Sequence, residues 1–193
     1  MSNKQVHKEY SGLNNRASSL SSLQPVDDSP FKQHSSTAFI WASVILVWMV
    51  SLLPWRMWAP APDILLVCIL FWCLHETHRI SLLTAFIFGI LMDVHDTGLM
   101  GAQALSYILA AYGVLALSRR MLRFSVVIQA FHIIPILIAS FGVSAILQSW
   151  LLGEWLGWSW LWSALLTAAL WPFADLILLL PQRRRAEADA SGG

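Results

Sequence analysis

The sequence predicts an all-α polytopic membrane protein with six transmembrane helices and both termini in the cytoplasm. Three observations carry that expectation. The first is composition: 57% of the 193 residues are apolar or aromatic, 12% are charged and 11 are Trp, whereas soluble domains carry about 25% charged residues. The second is segmentation: from Thr37 to Leu180, apolar runs alternate with short polar breaks. The third is the placement of cations. With six crossings and an inner amino terminus, every one of the 12 Lys and Arg residues except Arg56 falls on the inner side, the bias that orients membrane proteins. Dropping any one crossing would put either Arg119–Arg123 or Arg183–Arg185 outside.

Residues 1–36 are polar and rich in Ser, Asn and Gln. Too little apolar surface is present to offset the entropy of ordering, so a disordered cytoplasmic tail is expected. The transmembrane domain covers 37–182, with spans at Ala38–Leu53, Ile64–Leu74, Ile80–Met92, Met100–Leu117, Phe124–Leu152 and Trp158–Leu180. Residues 183–193 form a short cytoplasmic tail, basic and then polar. Pro135 should kink the long fifth span.

The second and third spans are short for a membrane. Even counted from Asp63 to His78 and from Arg79 to Val94, each reaches about 24 Å against a hydrocarbon core of about 30 Å. Other helices must shield the pair, or it must open onto a water-filled dip. This hairpin sets Asp63 and Asp93 at similar depth near the outer face. Together with Asp96 and Glu154 they are expected to make an acidic patch, with Arg56 the one cation on that side. Other readings stand beside this one. Asp63 after Pro62 suits a helix N-cap, and Asp96 followed by Gly98 suits a turn. Asp93 directly follows an unbroken apolar run, where an ionised carboxylate costs about 2.5–3.5 kcal/mol if it lies at the bilayer centre.

Trp55, Trp58, Trp150, Trp155, Trp158, Trp160 and Trp162 fall at the outer boundary, where an indole keeps its ring in hydrocarbon and its N–H wet. An aromatic belt explains them. The sharper alternative, since seven indoles on one side exceed what anchoring needs, is a docking ledge for another membrane protein, with Asp63, Asp93, Asp96, Glu154, Trp155, Trp158 and Trp160 as the candidate partner-binding residues. Ala102, Ser106 and Ala110 repeat at i, i+4, a small-residue stripe that lets helices approach closely in lipid. Gly89 and Gly101 are expected to serve the same packing. The fourth, fifth and sixth helices should therefore pack together, with Gln103, Tyr107, Gln129, His132 and Gln148 facing inward. On the inner side Arg79, Arg119, Arg120 and Arg123 are candidates for anionic lipid or a cytoplasmic partner. Asp175, inside the sixth span, is an ionisable group in the membrane and a functional candidate on that ground.

Catalytic and cofactor chemistry finds little support. Asp93, His95 and Asp96 are crowded for three ligands to one ion. The His75-Glu76-Thr77-His78 stretch spaces its histidines three apart rather than the four of the zinc motif. Cys68 and Cys73 are five apart, about 140° around a helix, and serve as apolar filler. No basic face with stacking aromatics speaks for nucleic acid. No catalytic, cofactor or metal residues are assigned.

A family pattern emerges from the polar punctuation. Pro62-Asp63 precedes a short apolar helix that ends at His78-Arg79. Gly89-Ile90-Leu91-Met92-Asp93 closes the next, followed by Gly98-Leu99-Met100-Gly101, Ala104-Leu105-Ser106 and, late on, Leu170-Trp171-Pro172. From about Ala38 to Arg185 this layout resembles the bacterial rod shape-determining protein MreD family. The tail of over thirty residues before the first span departs from the many members that begin almost at that helix.

The resemblance implies a non-enzymatic subunit of the cell-elongation machinery in the bacterial inner membrane. It implies partners as well: the bitopic protein MreC, the actin-like MreB, and the glycosyltransferase and transpeptidase that build side-wall peptidoglycan. It further implies a membrane core like that of the substrate-binding subunits of energy-coupling-factor transporters. A solute-binding transporter subunit is the alternative, suggested by the polar interior and by Ala38 and Ala42 in the first span. An intramembrane enzyme using Asp93 and His95 is a third and lesser reading.

Overall fold

A computed structural model describes residues 36–54, 60–155 and 157–178, all within the unit Ser35–Gly193. The expectations placed on the two tails and on Trp55, Arg56 and Trp58 lie outside the described residues. Six α-helices follow in chain order, and no strand occurs among the described residues. They are α1 (Thr37–Ser51), α2 (Ile64–His75), α3 (Leu82–Asp96), α4 (Ala102–Met121), α5 (Val126–Leu152) and α6 (Ser159–Ala169).

Helix α2 is the centre of the bundle. Its sequence ILLVCILFWCLH is apolar on every side, a pattern that belongs to a helix buried all round. Every residue from Leu65 to Leu74 is buried. Helices α1 and α4 cover most of it, with α3 and α6 completing the enclosure. Its 12 residues make a rod of about 18 Å, too short to cross a bilayer against lipid. The neighbouring helices enclose it along that length. Trp72 lies edge-on to Phe39 at 6.0 Å, and its indole N–H donates to Ser43 Oγ at 2.9 Å, which ties α2 to α1.

Around that axis each helix packs on its neighbour in sequence: α3 on α4, α4 on α5 and α5 on α6. Small residues set the closest approach. A Cβ at Gly89 of α3 would stand 2.5 Å from the Cα of Ala104, so only glycine fits. Gly113 of α4 likewise leaves room for the Ile136 side chain of α5, whose Cγ2 lies 2.6 Å from where its Cβ would be. Ala102, Ser106 and Ala110 are buried along α4, so the stripe read from the sequence faces the bundle. Gly101 behaves differently. Its surroundings are open, and its backbone is left-handed at φ +96°, so it forms the turn into α4 rather than a packing contact.

Helix ends follow from local chemistry. α1 stops just before Pro54, which removes a donor and restricts the residue ahead of it. α3 closes on Thr97 at φ 49° and α5 on Gly153 at φ 71°, left-handed caps of the kind that end many helices. α6 breaks at Leu170, two residues before Pro172, and helix resumes over residues 171–178. Two stretches, Val126–Leu152 and Ser159–Leu178, are both long and apolar enough to cross a membrane unaided. α1 and α2 are shorter apolar helices.

Candidate functional site

The end of the bundle where α1, α3 and α5 finish and α2, α4 and α6 begin holds Asp63, Asp93, Asp96 and Glu154. Helix α2 begins there at Asp63, 4% exposed. Its carboxylate accepts the Leu66 N–H at 3.1 Å, an N-cap, and the Tyr107 hydroxyl at 2.8 Å from each oxygen. The Asp63 amide donates to Thr167 Oγ1 at 2.9 Å, and the Thr167 hydroxyl donates to the Ser163 carbonyl at 2.6 Å. One residue thus fastens α2 to α4 and α6.

Asp93 does the same for α3. It lies on the last turn of that helix, 2% exposed, and its carboxylate accepts three backbone N–H groups: Gly101 at 3.0 Å, Gln103 at 2.8 Å and Ala104 at 3.1 Å. The opening amides of a helix have no partner within it, and they carry the positive end of its dipole. A carboxylate from the neighbouring helix answers both needs. The Gly98–Gly101 turn exposes those amides, and Gly89 lets the two helices close upon them. From α5, Ser144 Oγ donates to the Ala102 carbonyl at 2.7 Å, and Gln148 Nε2 to Ser144 Oγ at 3.2 Å.

Above this frame lies a cavity of about 540 Å³. Leu52, Leu53, Pro54, Ala61 and Phe141 give it apolar walls; Asp63, His95, Asp96, Gln103 and Ser163 give it polar ones. A second hollow of about 320 Å³ shares Asp96, Gln103, Phe141 and Ser163, and continues past Asp93 to Gln148, Ser159 and Trp160. On the same end Glu154 is exposed, with Trp155 at 59% and Trp158 at 64% exposure. Their rings meet edge to face at 5.9 Å, and Trp158 stacks on Trp160 at 6.4 Å. Trp160 is half-buried over Gly142.

The acidic patch expected from the sequence therefore separates into two layers. Asp96 and Glu154 are exposed; Asp63 and Asp93 are buried beneath, occupied by amide and hydroxyl donors. Burial of a carboxylate demands such donors, which is why these two do not stand on the rim beside the others. The indoles Trp155 and Trp158 do stand there. Among the described residues no group of three or more His, Cys, Asp or Glu is placed to hold a metal ion.

The opposite end is built from cations. Arg79, half-buried, hydrogen-bonds Thr37 and approaches Glu76 at 3.8 Å. Arg119, Arg120 and Arg123 are exposed. Gln129 of α5, buried, donates to the Met121 and Phe124 carbonyls at 3.1 Å each, closing the end of α4. Among the inward residues expected from the sequence, Tyr107 and Gln129 are buried, while Gln103, His132 and Gln148 are partly exposed. Asp175 is buried, 7% exposed.

An all-helical bundle with apolar helices, a polar cavity at one end and arginines at the other is the architecture of an α-helical membrane protein. Its sequence agrees: the family of the rod shape-determining protein MreD matches residues 32–180. The chain belongs to the MreD family, and it is a rod shape-determining membrane protein. No curated relative and no solved structure matches it.

Proposed function

We propose that this chain is a non-catalytic scaffold subunit of the cell-elongation complex in the bacterial inner membrane, and that it binds MreC at the cavity end. On this reading the cavity end faces outward and the arginine end faces the cytoplasm, with the polar tails 1–36 and 183–193 on that inner side. MreB and the elongation glycosyltransferase and transpeptidase are then reached through the assembled complex. The observation that carries the proposal is the layered cavity end: exposed indoles and acids resting on a frame fixed by buried carboxylates. Exposed aromatics on a preorganised base are what binding hot spots are made of, and preorganisation lowers the cost of association. Copurification from membranes tests it. The full chain should retain MreC, and replacing Trp155 and Trp158 together by Ala should release it while the bundle stays folded.

A second reading, a solute-binding subunit like those of energy-coupling-factor transporters, is favoured by the cavity itself. It requires a small molecule to copurify with the bundle. Retention of such a ligand without MreC would replace the first reading with the second. On either reading Arg119, Arg120 and Arg123 meet anionic headgroups, at about 1 kcal/mol for each cation near the surface.

A further inference from the structure

We infer that the groove between α4 and α5 holds one acyl chain of an anionic phospholipid of the inner leaflet, its headgroup resting on Arg119, Arg120 and Arg123. The inference rests on the headgroup contact proposed above for those arginines, and not on the docking of MreC. The groove has a volume of about 410 Å³. Leu109, Gly113 and Leu117 give it one wall, and Pro135, Ile136 and Ala139 the other. Ser140 also borders it, but its hydroxyl donates to the Ile136 carbonyl of its own helix at 2.8 Å. The walls therefore offer contact to hydrocarbon and little else.

Length decides what fills it. Leu109 lies ten residues before Arg119 on α4, about 15 Å along the helix. That is half of a hydrocarbon core about 30 Å thick, the depth of one leaflet. A chain that starts beside Leu117 would end beside Leu109. One residue past Val143, which also lines the groove, Ser144 Oγ of α5 donates to the Ala102 carbonyl of α4 at 2.7 Å. The two helices are thus joined just beyond the groove, whereas a partner's spanning helix would have to continue into the other leaflet.

The mouth supplies the charge. Arg119 follows Leu117 by two residues, and Arg119, Arg120 and Arg123 are all exposed. Arg123 leads into Phe124, whose ring stacks on His132 at 5.6 Å, and His132 borders the groove. From Ala102 to Leu152, both helices and their connection contain no Asp or Glu. A basic rim over an apolar slot matches the two parts of an anionic phospholipid, and basic clusters on the cytoplasmic side attract such lipids. A bare anion would use the arginines and leave the slot; a zwitterionic lipid would use the slot and gain little from the arginines.

The test is native mass spectrometry of the full chain in mild detergent, titrated with dioleoyl phosphatidylglycerol or dioleoyl phosphatidylcholine. Wild type should retain one phosphatidylglycerol and prefer it by about fivefold or more. Glycerol 3-phosphate should not displace it, and dihexanoyl phosphatidylglycerol should bind at least about tenfold more weakly, since each buried methylene contributes. Ala139→Trp fills the groove from an exposed position, and Val143→Trp repeats the test one turn on; each should lower phosphatidylglycerol retention by about tenfold. Arg119, Arg120 and Arg123 changed together to Gln should remove the preference between the two lipids. Wild-type retention in the groove variants, with preference lost in the arginine variant, overturns the inference and leaves the headgroup contact standing. If the arginine variant keeps its preference, the headgroup contact falls, and the inference with it. Displacement by glycerol 3-phosphate, or equal binding of the short-chain lipid, also overturns it. So does unchanged lipid retention with lost capture of MreC in the groove variants, which would assign the groove to a partner helix.

Discussion

The two ends of the bundle use charge in opposite ways. At the cavity end, Asp63 and Asp93 are buried and joined to four helices by amide and hydroxyl donors. At the arginine end, Arg119, Arg120 and Arg123 lie exposed on the last turn of α4 and the residues after it. Removing a buried group strands its partners; removing a solvated one strands nothing. The cavity end should therefore be the rigid one, its shape fixed before a partner arrives, and the arginine end an adaptable electrostatic surface.

Asp93→Ala attacks the contrast hardest. It leaves the amides of Gly101, Gln103 and Ala104 at the start of α4 without that acceptor, at about 1–3 kcal/mol for each unsatisfied group. Thermal unfolding in detergent should show a loss of several kcal/mol by that estimate, with α3 and α4 separating first in hydrogen exchange. A wild-type melting curve would remove Asp93 from the frame. Gly89→Val comes next. Its side chain begins where Ala104 already stands, and overpacking of this kind costs about 1–3 kcal/mol, or more where backbone must move. Gly101→Ala makes the complementary test: surrounded by open space but held at positive φ, it should lose only about 1 kcal/mol.

Tyr107→Phe should cost about 1–2 kcal/mol, since Asp63 keeps its amide donor, and the effect should appear in unfolding but hardly in expression. The smallest structural effect should come from changing Arg119, Arg120 and Arg123 together to Gln. Stability should shift by less than about 0.5 kcal/mol, while binding to vesicles containing anionic lipid weakens and that to zwitterionic vesicles stays the same. A large loss of stability in this triple variant would mean that the two ends do not differ as argued.

Much of this architecture could be read directly from the chain. The apolar runs and their breaks locate six helices, and the expected spans overlap the six found among the described residues. The i, i+4 series of Ala102, Ser106 and Ala110 announces the buried face of α4. The shortness of Ile64–Leu74 calls for shielding by other helices or an opening onto a water-filled dip, and α1, α3, α4 and α6 enclose it. Hydrogen-bond partners were harder to see. The hairpin of short spans sets Asp93 at the depth of Asp63 in an outer acidic patch, yet α3 continues to Asp96 and the Asp93 carboxylate is buried against the start of α4. The signal was present in the Gly98 and Gly101 turn, which bares helix amides next to an acid that cannot remain unpaired in hydrocarbon. Nothing local marks Tyr107 or Thr167 as partners of Asp63, 44 and 104 residues away in the chain. Such pairings are decided by how the helices assemble.

The most direct test of the docking claim is proximity. Cys68 and Cys73 are buried, so new cysteines at Trp155 and at Ser118 can be compared within the full chain. Each would be combined with a cysteine walked through the membrane-adjacent helix of MreC and exposed to a short bifunctional thiol reagent. A crosslinked pair should form from position 155 and none from 118. Crosslinking from 118 alone would contradict it.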